Sequence, residues 1–183
     1  MSSTPSEHEM PSVVLMAGLT GSGKTTLALA LGVALGWPVL DKDTLKSTLL
    51  EANLGEAIAA RVAYDLLFAL ARDLLVRQRR SLILDSPTRF PFILETAQAI
   101  ADERNALLSV ILCLAGGTVR NQRLAQRVAM RSQPRGDTMT TVEEERAAFA
   151  HLPPETLVLD AGRSPEELVA EALTYLRRTA AGT

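Results

Sequence analysis

Apolar positions along this chain fall into short runs rich in β-branched residues, separated by longer stretches with helical spacing. Val13 to Ala17 predicts a first strand, followed by a Gly-rich turn and a helical pattern from Lys24 to about Leu35. Trp37 to Leu40 predicts a second strand ending in Asp41-Lys42-Asp43. Helices are expected from about Thr44 to Ala52 and from Glu56 to Gln78, the latter with Val62, Leu66, Ala69, Leu70, Asp73 and Leu74 at helical spacing. Ser81 to Leu84 predicts a third strand closed by Asp85-Ser86-Pro87, and a helix from about Pro91 to Glu103 leads to a fourth strand at Leu107 to Leu114. A helix carrying Arg120, Arg123, Arg127 and Arg131 comes next, then a polar break around Pro134 to Asp137 and an acidic helix around Val142 to Ala150. Thr156 to Leu159 predicts the fifth strand. The last helix, Pro165 to Arg178, has Pro in its first turn and Ser164 as its expected cap.

Strands alternating with helical segments imply right-handed crossovers, so the expected class is α/β: three layers around a five-stranded parallel sheet. At 183 residues one core is the default, burying roughly two-thirds of the surface its unfolded form exposes. Residues 1–11 read as a flexible leader and 12–183 as a single domain, with a helical lid at approximately 120–150. Hydrophobic residues make up 47% of the chain but aromatics only 4%, so Ala, Leu, Val and Ile must build an interior suited to helices on a sheet.

The formal net charge of −2 and a pI near 5.7 provide no global basic field, so long nucleic acid is not an expected partner. Cys113 lies inside an apolar run and reads as a small buried side chain. The first residues have no basic start or apolar core, and no run reaches the roughly 18 apolar residues of a membrane span. A cytoplasmic protein without a membrane partner is expected, with monomer and homodimer both open. His8 and His151 have no second histidine at metal-ligand spacing, so no structural zinc is expected.

Gly18-Leu19-Thr20-Gly21-Ser22-Gly23-Lys24-Thr25 fits the phosphate-binding pattern G-x-x-x-x-G-K-[ST] (Walker A), between a predicted strand and a predicted helix. Glycines let backbone amides curl around an anion, and the helix N-terminus adds partial positive charge. The expected nucleotide-binding set is Gly18, Thr20, Gly21, Ser22, Gly23, Lys24, Thr25 and Thr26. Lys24 would reach the β- and γ-phosphates, and the Thr25 hydroxyl would ligate Mg2+. Asp85, at the carboxyl edge of a strand, would orient the magnesium shell or a water; a cap or turn aspartate is the alternative.

Phosphoryl transfer is favoured over other uses of such a loop because the chain is short and carries carboxylates and arginines at suitable points. Asp41 and Asp43 follow strand two, where a carboxylate could accept the proton of an attacking hydroxyl. Arg123, Arg127 and Arg131 recur every fourth residue, placing three like charges on one helical face. They suit an anionic partner, or else form a solvated face balanced by Glu143, Glu144 and Glu145. Arginines closing over a triphosphate can contribute a rate factor of about 10³ to 10⁵.

With these motifs the chain resembles the small P-loop kinases of the gluconate kinase, polynucleotide 5′-kinase and chloramphenicol phosphotransferase type, from Val13 to about Arg177. The resemblance implies a kinase-type P-loop NTPase fold with a helical lid, and ATP in preference to GTP. It also implies Asp43 as general base, with Asp41 the second candidate, and Lys46, in Asp43-Thr44-Leu45-Lys46, as a group holding the acceptor. Arg127 and Arg131 resemble the family's phosphate clamps, while Arg123 would contact adenine or phosphates. Val158 to Ser164 resembles the loop bordering adenine, with Gly162 at its turn.

Two features depart from that pattern. Arg79-Arg80-Ser81 stands where relatives often have a turn glycine, and Ser86 to Phe92 replaces their usual substrate groups. There Arg89 is a candidate for an acidic or phosphorylated acceptor and Phe90 or Phe92 for packing on it, with ordinary solvation and packing as the alternative. Tyr64 reads as core. The expected activity is transfer of the γ-phosphoryl group of Mg-ATP to a hydroxyl of a small metabolite, whether sugar, nucleoside or antibiotic-like. A polynucleotide 5′-hydroxyl kinase and a nucleotide-dependent regulatory ATPase or switch are the rival readings.

Overall fold

β1 (Ser12–Ala17) is apolar on both faces because it forms the centre of the sheet, between β3 (Leu82–Asp85) and β4 (Leu107–Leu114). β2 (Val39–Asp41) lies outside β3, and β5 (Leu157–Asp160) outside β4. All pairings are parallel, in the order β2-β3-β1-β4-β5. These elements come from a computed structural model that describes residues 10–126, 131–132 and 141–182.

Successive strand residues point to opposite faces, so the sheet feeds two cores. Val13, Leu15, Ala17, Leu82 and Leu84 pack into the core that includes Leu67 and Phe68 of α3 (Glu56–Arg72) and Ile93 and Ala97 of α4 (Pro91–Asp102). Val14, Met16, Ile83, Ile111 and Cys113 pack into the other, with Leu27 and Leu31 of α1 (Lys24–Leu35) and Leu168 and Ala172 of α7 (Pro165–Ala181). The Cys113 thiol is pushed up to about 12 by burial, which leaves it protonated and inert at neutral pH.

α1 and β4 have the bounds their apolar patterns predict. β2, β3 and β5 begin later than expected, and each takes in its terminal aspartate because a neighbouring strand continues the ladder there. α2 (Lys42–Glu51) starts two residues earlier than expected, directly after Asp41. α7 has its predicted cap: Ser164 and Glu167 form a reciprocal capping box, with Pro165 in the first turn.

The long helix expected up to Gln78 gives way after Arg72 to a π-helical turn, Asp73–Arg77, closed by Gln78 N–H donating to the Asp73 carbonyl at 3.0 Å. Arg79 then adopts φ +56°, supplying the left-handed conformation that glycine provides without a Cβ. No helix among the described residues is long and apolar enough to cross a membrane. Arg79→Gly should raise stability by roughly 0.5 to 1 kcal/mol, since relief of a left-handed side chain outweighs the entropy of glycine. Urea denaturation of the two proteins measures the difference.

Candidate active site

The register of three strands assembles the site. Met16 lies opposite Asp85, and Asp85 opposite Asp41, so the ends of β1, β3 and β2 form one edge from which the phosphate loop departs. Gly18 turns away at φ +140° and donates its amide to the Pro87 carbonyl at 3.1 Å. A Cβ there would lie 2.6 Å from both the Cys113 carbonyl oxygen and Ser22 Oγ, so no other residue fits. Gly23 begins α1 without a side-chain cap, and no acidic residue occupies the first turn, leaving the helix amides to an anion. Thr20, Gly21, Gly23, Lys24, Thr25, Thr26 and Asp43 line a cleft of about 120 Å³.

Lys24 and Asp85 are both buried at this edge. Neither Asp85 oxygen has a hydrogen-bond partner in the protein, and Ser22 Oγ is likewise buried and unpartnered. Burial raises the Asp85 carboxyl above its ordinary value of 3.8; the Lys24 ammonium and the Thr25 hydroxyl oppose this, while Asp41 and Asp43 add to it. A packed core does not leave such oxygens orphaned. One hydroxyl and one carboxylate beside a phosphate cradle suit Mg2+, which keeps most of its shell as water and phosphate oxygen.

Asp41 and Asp43, two residues apart, have different surroundings. Asp41 caps α2: its Oδ1 accepts from the Asp43 amide at 2.8 Å and its Oδ2 from the Thr44 hydroxyl at 2.7 Å. The second candidate for the base is therefore engaged in holding the helix start. Asp43, in the first turn of α2, lines the phosphate cleft, and its Oδ1 is 2.5 Å from Lys42 Nζ. Lys46 is paired with Glu56 of α3. Tyr64, which reads as core in the sequence, is close to these groups: Lys42 sits 5.7 Å from its ring centroid. Its phenol is raised by burial, with the Ser86 hydroxyl and Lys46 acting against the shift and Asp43 with it. Tyr64 also meets Phe92 edge-on at 5.3 Å, and Phe92 stacks with Phe90 at 6.3 Å. Phe90 and Phe92 remain 56% and 44% exposed, and Arg89 beside them is exposed too.

The connection from β3 to α4 supports the phosphate loop from below. Thr88, fully buried at φ +53°, donates its hydroxyl to the Met16 carbonyl at 2.7 Å, and His151 Nε2 lies 3.1 Å from the Thr88 carbonyl oxygen.

On the opposite side, Arg123 of α5 (Gly117–Gln126) donates Nη2 to the Ala161 carbonyl at 2.6 Å. Its Nη1 is buried, without a hydrogen-bond partner, and 3.2 Å from the position a Cβ would take on Gly23. Arg123 thus ties α5 to the loop after β5 at Ala161; Gly162, next in that loop, is exposed and its amide donates to Asp160 Oδ1 at 2.9 Å. Arg127 lies outside the described residues. Arg131 is exposed in a turn instead of continuing α5, and next to it Ser132 is buried, donating Oγ to the Asp43 carbonyl at 3.0 Å and accepting from Ser47 Oγ at 2.9 Å.

The three glutamates of α6 (Val142–Ala147) do not form a solvated counter-face. Glu144 completes a capping box with Thr141, and Glu145 is fully buried against Arg120, with Nε to Oε1 at 2.5 Å. Arg120, Glu145, Ser132, Lys42 and Tyr64 carry no local signal that sets them apart. Only their long-range partners do.

A family profile described as an AAA domain matches residues 13–152. The shikimate kinase 2 of Yersinia enterocolitica is 30% identical over 183 aligned positions, covering 91% of this chain and 97% of that protein. The APS kinase of Mycobacterium tuberculosis, solved with AMPPNP and APS, aligns with a TM-score of 0.63 at 20% identity over 92% of this chain and 98% of that one. A gluconokinase from Sinorhizobium meliloti aligns with a TM-score of 0.59 at 18% identity over 96% and 97% of the two chains. At those identities the two structures speak for the fold, which is that of small P-loop kinases.

Asp85→Asn should separate stability from function. Because folding raises this carboxyl above 3.8, the unfolded chain releases the proton first, and stability falls as pH rises through the interval starting there. At pH 7 the amide variant should be more stable by roughly 0.5 to 2 kcal/mol, a usual gain where a functional strain is removed, and the gap should close toward pH 4. Thermal melting across that pH range gives the comparison.

Proposed function

This chain belongs to the AAA-domain family, among its small P-loop kinases, and on that premise we propose that it moves the γ-phosphoryl group of Mg-ATP to a hydroxyl of a small metabolite such as a sugar, a nucleoside or an antibiotic-like compound. The observation carrying this reading is that the Asp43 carboxylate shares one small cleft with the phosphate loop from Thr20 to Thr26. A base and a phosphate cradle held that close can align a hydroxyl with the γ-phosphorus, which is most of what phosphoryl transfer asks of a protein.

In this reading the amides from Gly18 to Thr26 hold the β-phosphate, and Lys24 neutralises charge on the β- and γ-oxygens. Thr25 and Asp85 would hold Mg2+, whose charge offsets that building up on the transferring group. Arg123 contributes Nη1 above Gly23, toward the phosphates. Arg131, tied to the acceptor side through its neighbour Ser132, and Arg127 close over the transferring group. Asp43, oriented by Lys42, takes the proton of the acceptor hydroxyl as its oxygen bonds to the γ-phosphorus and the bond to the β-phosphate oxygen breaks, releasing ADP. Lys46 and Arg89 face the acceptor. A single domain at residues 12–183 suffices for all these roles.

Asp43→Asn should lower acceptor phosphorylation about 10² to 10⁴-fold, the range for loss of a general base, while Mg-ATP binding by calorimetry stays near wild type. The acceptor is sought with γ-labelled ATP against hydroxylated metabolites and short oligonucleotides. Label appearing only in inorganic phosphate across that panel, unaltered by Asp43→Asn, would sink the kinase reading and leave a regulatory ATPase. Label passing to oligonucleotides alone would favour a polynucleotide 5′-kinase.

A further inference from the structure

The Arg120–Glu145 pair has no part in the chemistry above, yet it is the most deeply buried ion pair among the described residues, with side chains 1% and 0% exposed. A buried ion pair seldom adds stability over a well-packed apolar pair, because desolvation of both charges offsets their attraction. The pair calls for another role, and its contacts supply one. Glu145, from α6, accepts from Arg120 Nε through Oε1 and from the Ala115 amide at 3.2 Å through Oε2, so one carboxylate ties the end of β4 to α5. Arg120 in turn directs Nη1 at the Thr20 carbonyl, at 3.5 Å, and its own backbone carbonyl lies 3.0 Å from where a Cβ on Gly21 would stand. The first turns of α5 therefore lie flush against the Thr20–Gly21 peptide.

We infer that Arg120 and Glu145 are positioning residues for the nucleotide's β-phosphate: by drawing the Thr20 carbonyl toward α5, they aim the Gly21 amide at the cleft. A trans peptide points its N–H opposite to its C=O, so fixing one fixes the other. Thr20 and Gly21 both line that cleft. Arg123, one turn further along α5, approaches Gly23, so the same anchoring also sets where the Arg123 guanidinium lies. The role rests on the nucleotide-binding reading given above.

The test is calorimetry of the full chain with Mg-ADP and with AMP, which lacks a β-phosphate. In Arg120→Met combined with Glu145→Leu, an apolar pair fills the buried space, and the melting temperature should equal or exceed that of wild type. ADP affinity should fall about tenfold, as for loss of one hydrogen bond to a charged group, while AMP affinity stays within about twofold. Equal losses for ADP and AMP would reduce the pair to general packing, and an unchanged ADP affinity would refute its positioning role. If the double variant does not fold, Glu145→Gln keeps the side-chain shape while removing the charge, and its ADP to AMP affinity ratio is judged by the same criterion. Failure of the wild type to bind ADP would overturn the nucleotide reading itself, and this inference with it.

Discussion

Everything at this site depends on the register of three parallel strands. Hydrogen bonding between β1, β3 and β2 brings Met16, Asp85 and Asp41 into one row, so the chain leaves β1 as the phosphate loop beside two carboxylates. Ladder bonds fix that row more firmly than any side-chain contact could. The loop itself then needs only backbone: Gly18 fits between the Cys113 carbonyl and Ser22, and Gly23 opens α1 with its amides uncapped.

Local chemistry explains which parts of this arrangement are legible in the sequence. The phosphate loop is written in consecutive residues, and the bounds of α1 and β4 follow from the apolar pattern. Asp41 and Asp43 look alike in the sequence, and only the structure gives them different surroundings: Asp41 commits its carboxylate to the Asp43 amide and the Thr44 hydroxyl, while Asp43 lines the phosphate cleft beside Lys42. The three glutamates of α6 show the opposite limit. A six-residue helix is too short for periodicity to reveal which carboxylate turns inward, and Glu145 is identified only by Arg120, 25 positions away. Tyr64 shows a third limit: it packs against the core, as its Leu-rich helix predicts, but the sequence does not reveal that Lys42 and Ser86 lie beside it.

The balance between stability and use varies across the molecule. Ser164 and Glu167 close the start of α7 with a reciprocal capping box, as Thr141 and Glu144 do for α6. The edge around Lys24 is left with orphaned oxygens on Asp85 and Ser22. Elsewhere such groups would destabilise the fold without return, whereas here they are the groups a hydrated cation and a polyphosphate would satisfy.

The segment from Ser86 to Thr88 links the two halves of the site. Pro87 receives the Gly18 amide, and Thr88 grips the Met16 carbonyl while holding a strained backbone. The next two residues, Arg89 and Phe90, are exposed. Substitution here is therefore unevenly constrained: Arg89 and Phe90 turn their side chains to solvent, whereas a change at Pro87 or Thr88 is transmitted through the Gly18 amide or the Met16 carbonyl to the phosphate loop.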